Sequence, residues 1–208
     1  MAYSSSLAAA LGGVSEGQLT HWRRQPNPVL VPEYGSAPRV SYSFRDLLAI
    51  RTVARIRTQL SLQKIRKAIQ NIKNLDNFEH LSNYKLVAKG NTIVWIQSED
   101  QMVDVLKQPG QHLIATMQDI LGEFVGWTGE TVVPLLRPKP GIRINPGVLR
   151  GYPVIDNTRV PYDTIASLAA DGLDAAHIQY FYPSVTDIGV EGAVALDRYV
   201  SEYPRRAA

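Results

Sequence analysis

The chain has 208 residues, of which 45% are hydrophobic, and a formal net charge of +3. That length fits one or two domains with an ordinary buried core. The absence of cysteine excludes disulfides, thiolate metal sites and cysteine catalysis together. No run approaches the roughly 18 apolar residues that a bilayer span requires. The N-terminus has no basic region ahead of an apolar one, so the expectation is a cytoplasmic protein without membrane contact.

Charge is unevenly spread. Residues 1–75 carry eleven bases and three acids, a net +8. Residues 76–140 come to −3 and residues 141–208 to −2. A basic head on a mildly acidic body is the electrostatic footprint of nucleic-acid binding, although a solvated charged helix face gives the same count.

In chain order, residues 4–24 predict two short helices. Leu7, Ala10 and Leu11 share the inner face of the first, and Gly12-Gly13 ends it. Ser15 caps the second, with Gln18 placed to close a capping box and Val14 and Leu19 flanking it. Leu19 and Trp22 point inward on this reading, leaving Gln18, His21, Arg23 and Arg24 outward or edge-on. Short helix, glycine turn, capped helix is a helix-turn-helix pattern, whose second helix would enter the major groove; a plain helical hairpin has the same pattern. Residues 25–40 hold four prolines and cannot be helical. Val29-Leu30-Val31 and Arg39-Val40 are expected as the two strands of a wing tipped by Tyr34-Gly35-Ser36.

Residues 41–72 predict two more helices. Ser43 and Asp46 form the first cap, and Leu47, Leu48, Ile50 and Ala54 the apolar face. Ser61 caps the next, with Leu62, Ile65, Ile69 and Ile72 inward. Arg45, Arg51, Arg55, Arg57, Lys64, Arg66, Lys67 and Lys73 are expected to decorate the outside. The run Tyr42-Ser43-Phe44-Arg45-Asp46-Leu47-Leu48, followed by Leu60-Ser61-Leu62, resembles the second half of a MerR-type winged helix-turn-helix domain. That resemblance implies a DNA-binding surface formed by Ser15, Gln18, Thr20, His21, Arg23, Arg24, Arg39, Tyr42 and Arg45. Thr20 stands where the family usually has a basic residue, and Arg39 lies one residue further from Tyr42 than the usual wing arginine.

Residues 76–133 predict a β-hairpin, Tyr84–Ala88 with Thr92–Gln97, and a further strand at Met102–Lys107. Leu113, Met117, Ile120, Leu121, Phe124 and Val125 then recur with helical period. The MerR resemblance implies that such a helix pairs two subunits through Leu113, Met117, Ile120, Leu121 and Phe124. The same pattern also suits an ordinary core helix. Prolines 134, 138, 140 and 146 mark residues 134–150 as the expected linker.

The final segment, 151–208, predicts three helices: one opened by Pro161 and stopped by Gly172, one capped by Asp174, and one capped by Thr186 that ends near Tyr203-Pro204. Its opening, Gly151, Pro153, Val154, Ile155, Thr158, Arg159, Val160 and Pro161, resembles the signature G-x-P-V-I-x-G-T-R-V-P of a helical domain that recurs in VapB-type antitoxins. Asn157 replaces the glycine, a mild change because asparagine tolerates positive φ. The resemblance implies an antitoxin whose partner is a PIN-domain ribonuclease toxin, contacted by Arg159 and by the basic end Arg205-Arg206; an arginine bracing its turn and a pair of solubilising charges fit the same residues.

The four histidines lie far apart without metal-ligand spacing, and the acids are scattered. No nucleophile–base constellation or phosphate-binding loop is present. The sequence thus predicts no metal, no cofactor and no enzyme. The expected fold is mainly α with a small β component: a DNA-binding domain at 1–75, a middle hairpin-and-helix region at 76–133, a linker at 134–150 and a helical module at 151–208. The expected protein is a homodimer that binds duplex operator DNA and neutralises a toxin. The alternative is a MerR-like regulator, without a toxin, that answers a small ligand in the middle region.

Overall fold

Three alanines in a row, Ala8, Ala9 and Ala10, let a helix be buried on nearly every side. They belong to α1 (Ser5–Gly12), which Ser4 caps by accepting from the Leu7 amide at 3.2 Å. In the computed structural model, which describes residues 1–24, 26–35, 37–75, 80–83, 85–89, 92–96, 102–104 and 120–203, α1 lies between elements from both ends of the chain. Gly13 turns the backbone at φ 80°, a left-handed conformation open to glycine at little cost, and sends it into α2 (Glu16–Trp22). α3 (Phe44–Arg57) and α4 (Leu62–Leu75) follow, and Ile65, Ile69 and Ile72 are buried along α4. Tyr3 and Tyr42 exchange backbone hydrogen bonds of 2.9 and 3.0 Å, tying the start of the chain to the start of α3.

The hairpin appears as β1 (Lys85–Lys89) and β2 (Thr92–Ile96), antiparallel with Val87 opposite Val94, and β3 (Met102–Asp104) adds a third strand. β4 (Phe124–Val125) pairs with β5 (Thr131–Val132), and β6 (Ile142–Arg143) with β7 (Val154–Ile155). α5 (Tyr162–Ala170), α6 (Ala175–Phe181) and α7 (Asp187–Glu202) close the chain, capped at α6 by Asp174 and at α7 by Thr186. Seven helices and three small antiparallel sheets among the described residues make the fold mainly α with a small β component.

Several sequence expectations change. Residues 26–35 and 37–40 form turns and extended loop, with no strand among them where two were expected for a wing within 25–40. The prolines remove the donors that a ladder needs, and Val29 and Leu30 instead hydrogen-bond to the Trp22 carbonyl and bury their side chains. Phe124 lies on β4 rather than on the helix expected through 113–125; residues 113–119 of that helix lie outside the described residues. Residues 134–150, expected as a linker, are a packed strap that contributes β6 and buries Leu135, Ile142 and Ile144.

That strap is clamped by α7. A Cβ on Gly192 would fall 2.0 Å from the Pro140 carbonyl oxygen, and one on Gly189 would fall 2.6 Å from Ile155 Cγ2. Two glycines three apart on one face let strap and sheet approach the helix axis. The core is continuous from Tyr3 to Tyr203. Tyr3, Tyr152 and Tyr162 form a ring series at 5.9 and 6.1 Å, and the Tyr3 hydroxyl donates to the Gly151 carbonyl.

The centre of this core holds a cation. Arg51, expected on the surface, is 0% exposed. Its Nε donates to Ile120 O at 2.6 Å and its Nη2 to Gly122 O at 2.6 Å. Its Nη1 donates to Leu11 O at 2.5 Å and Val133 O at 3.2 Å. The Phe124 ring lies 5.0 Å beneath the guanidinium. Burial lowers its pKa to about 10.

Candidate nucleic-acid interface

The α1–Gly13–α2 hairpin decides which side chains of α2 reach solvent. Ser15 Oγ accepts from the Gln18 amide at 3.0 Å, and Gln18 Oε1 accepts from the Ser15 amide at 2.8 Å. The capping box is therefore complete, and both residues are buried within it. Leu19 and Trp22 fix the inner face. Thr20, His21 and Arg24 are exposed side by side, with Arg23 half-buried at their edge.

Tyr42 is fully buried, so its ring is not offered to a ligand. It serves Arg23 instead: Arg23 Nη1 donates to the Tyr42 hydroxyl, and the guanidinium stands 5.7 Å from the ring centroid. Arg23 Nη2 also donates to Thr20 Oγ1 at 3.3 Å, while Thr20 Oγ1 donates to Glu16 O at 3.0 Å. Arg23 is thereby held along the helix edge with less freedom to lose on binding. Arg39 is exposed on the loop before α3. Arg45 is exposed and makes a 2.7 Å ion pair with Glu33.

α4 joins this surface. Arg66 Nη2 lies 3.2 Å from His21 Nε2, and a guanidinium only donates, so the imidazole nitrogen accepts. The sequence placed Arg66 on an outer helix face but gave no sign that it meets His21, 45 residues away. The result is a row of basic and polar groups from α2 and α4 on one side of the hairpin.

Asp46 shows a second grouping that spacing concealed. Its Oδ2 accepts from the Ser43 amide at 2.8 Å and the Glu33 amide at 3.0 Å, and its Oδ1 meets His80 Nε2 at 3.0 Å. Glu33, Asp46 and His80 have ligand atoms within 4.8 Å of one another. Asp46 is fully buried and already bonded on both oxygens, so this network pins the 25–40 loop and the 80–83 turn to the start of α3.

Arg159 is exposed on the turn after β7. Arg205 and Arg206 lie outside the described residues. So do Leu113 and Met117 of the expected pairing helix. Ile120 and Leu121 are half-buried, with their carbonyls accepting from Arg51 Nε and the Leu135 amide. Phe124 is turned inward under Arg51 and Arg55, at 5.0 and 5.6 Å, so its ring is a core contact. No helix among the described residues is long and apolar enough to cross a membrane.

Residues 142–195 match a protein family of unknown function (DUF433). The match begins at β6 and ends within α7, so it takes in the signature turn, α5, α6 and the first part of α7. The chain is 29% identical over 138 residues to uncharacterized HTH-type transcriptional regulators of Mycobacterium bovis (Mb1861) and Mycobacterium tuberculosis (Rv1830). The alignment covers 62% of this chain and spans 60% of the length of those relatives. The crystal structure of Rv2018 from Mycobacterium tuberculosis superposes with a TM-score of 0.49 and 14% identity, covering 92% of this chain and 96% of that one.

Proposed function

We propose that the protein is a transcription regulator that binds duplex DNA through the exposed edge of α2, with the adjoining arginine of α4. The carrying observation is the hairpin itself: a left-handed glycine turn, a completed capping box and an outward row of Thr20, His21 and Arg24 beside Arg66. The +8 charge of residues 1–75 and the names of the mycobacterial relatives support the same reading. On this reading His21 and Thr20 face base edges, while Arg23, Arg24 and Arg39 take phosphates. The protein would be a cytoplasmic binding protein, not an enzyme.

The test starts from a random duplex pool selected on the purified protein. Affinity for the selected site should fall with salt at a logarithmic slope of roughly −0.9 per neutralised phosphate. Replacing Arg23 and Arg24 together with alanine should flatten that slope. An unchanged slope and affinity would remove α2 from the interface.

The finer reading is an antitoxin that represses its own operon as a homodimer and inhibits a PIN-domain ribonuclease. The signature around Arg159 motivates it. Two recognition helices should then sit roughly 34 Å, or a multiple of it, apart on a pseudo-palindromic site. A PIN-type site gathers carboxylates, which a guanidinium can pair with in place of a metal. If the neighbouring reading frame encodes a small acidic-site nuclease, titrating it with full-length protein, the Arg159→Ala variant and a chain lacking residues 204–208 separates the contacts. Full nuclease activity at excess full-length protein would leave a regulator without a toxin.

A further inference from the structure

The C-terminal region contains a cleft that neither the DNA-facing edge nor the core accounts for. Its volume is about 580 Å³, in the range of sites that take small organic ligands. Half-buried Arg143 of β6 and exposed Arg159 both line it. Val148, Val154 and Val160 give it an apolar lining, and Asn145 adds an amide.

The turn that carries Arg159 is built rather than loose. Asn157 sits at φ 60°. Thr158 Oγ1 donates to Ile155 O at 2.9 Å and accepts from the Val160 amide at 3.0 Å. These bonds hold the backbone on both sides of Arg159.

The charge of the cleft runs against its surroundings. Residues 134–203 carry eight carboxylates against five arginines and one lysine. None of the nine residues lining the cleft is acidic. The nearest acid in sequence, Asp156, pairs with Arg137 at 2.9 Å.

The geometry points to a binding cleft for a carboxylate carried on a small apolar body. Guanidiniums bind carboxylates through paired N–H donors, and the valines cover the body. The carboxylate has two possible sources, a free organic acid or the acidic side chain of a partner's peptide segment. This inference stands on the cleft and on neither the DNA-binding nor the antitoxin reading.

The test is a titration of the full-length protein, followed by amide resonances, with two probes. One is isovalerate; the other is the capped peptide acetyl-Val-Glu-Val-amide. Isovaleramide and the corresponding Gln peptide are the neutral controls. Saturable shifts at Arg143 and at 157–160 are expected with the acids and not with the controls. Arg159→Ala should weaken the productive probe at least about tenfold, the loss expected for one charged hydrogen-bonding partner. Arg198→Ala, an exposed arginine of α7, should change it by less than about twofold. Circular dichroism confirms that each variant is folded. Saturation by isovalerate alone assigns a free acid, and saturation by the peptide alone assigns a partner segment. Failure of both acids to saturate, equal binding of the neutral controls, or an undiminished affinity in a folded Arg159→Ala would overturn the proposal.

Discussion

A guanidinium offers five N–H donors and no acceptor, so a buried arginine needs carbonyls or carboxylates around it. Arg51 finds four carbonyls, from Leu11, Ile120, Gly122 and Val133. Its charge is thus solvated by backbone dipoles in place of water. Arg51→Met keeps the bulk but leaves those carbonyls without their donor. Stability to urea should fall by about 3 kcal/mol or more. Arg51→Lys should recover only part of the loss, because an ammonium cannot span the same fork of acceptors. A midpoint equal to that of the parent in both variants would contradict the cage. Nothing in the local sequence distinguishes Arg51 from Arg55 or Arg57. The groups that draw it inward lie 40 to 82 residues away, and periodicity reads only neighbours. The capping residues Ser15, Gln18, Ser43 and Asp46 were legible because their partners lie three residues away. The same partnerships take Ser15 and Gln18 out of the exposed edge.

At the scale of elements, three glycines separate backbone conformation from close approach. Gly172 ends α5 at φ 93° with open space around it, so Gly172→Ala should cost only the left-handed conformation, about 1 kcal/mol. Gly192 has no such φ requirement, but its Cβ would meet the backbone of Pro140 at 2.0 Å. Gly192→Ala should therefore cost about 1–3 kcal/mol through overpacking, and the strap should loosen from α7. A thermal midpoint in Gly192→Ala no lower than in Gly172→Ala would show that the strap gives way freely. Gly13 combines both constraints: φ 80°, and Val132 Cγ2 and Phe124 Cζ at 2.7 and 2.9 Å from a Cβ. Gly13→Ala should change the angle of the α1–α2 hairpin and weaken DNA binding more than thermal stability alone explains, as a binding isotherm well below the midpoint would reveal. The helices themselves were legible because Ser, Thr and Asp caps and glycine stops are local signals. The wing strands were not, because apolar Val29 and Leu30 suit a strand and a buried loop equally.

At the scale of the molecule, prolines misled. Four of them in 134–150 suggested an independent boundary, yet a fixed φ serves a packed strap as well as a linker. The contacts made by that strap join residues at both ends of the chain into one core. Unfolding followed by tryptophan fluorescence and by helical circular dichroism should therefore give coincident curves. Two separated transitions would mean that residues 1–133 and 134–203 hold together on their own. Cleavage within 134–150 should likewise yield unfolded pieces rather than two protected fragments.

The burial of α1 also sets a schedule. Tyr3 donates to Gly151 across 148 residues, and Tyr199 donates to the Ala10 carbonyl across 189. A ribosome makes α1 well before α7, which covers one side of it. At 5–20 residues per second, the wait is roughly ten to forty seconds. Through that interval α2 and α3 can already cover part of α1, and the side that meets α7 waits for its native partner. A polypeptide that stops before Tyr199 would carry the whole basic head without the hydrogen bond from Tyr199 to the Ala10 carbonyl. The native environment of α1 is complete only after Tyr199 has been made.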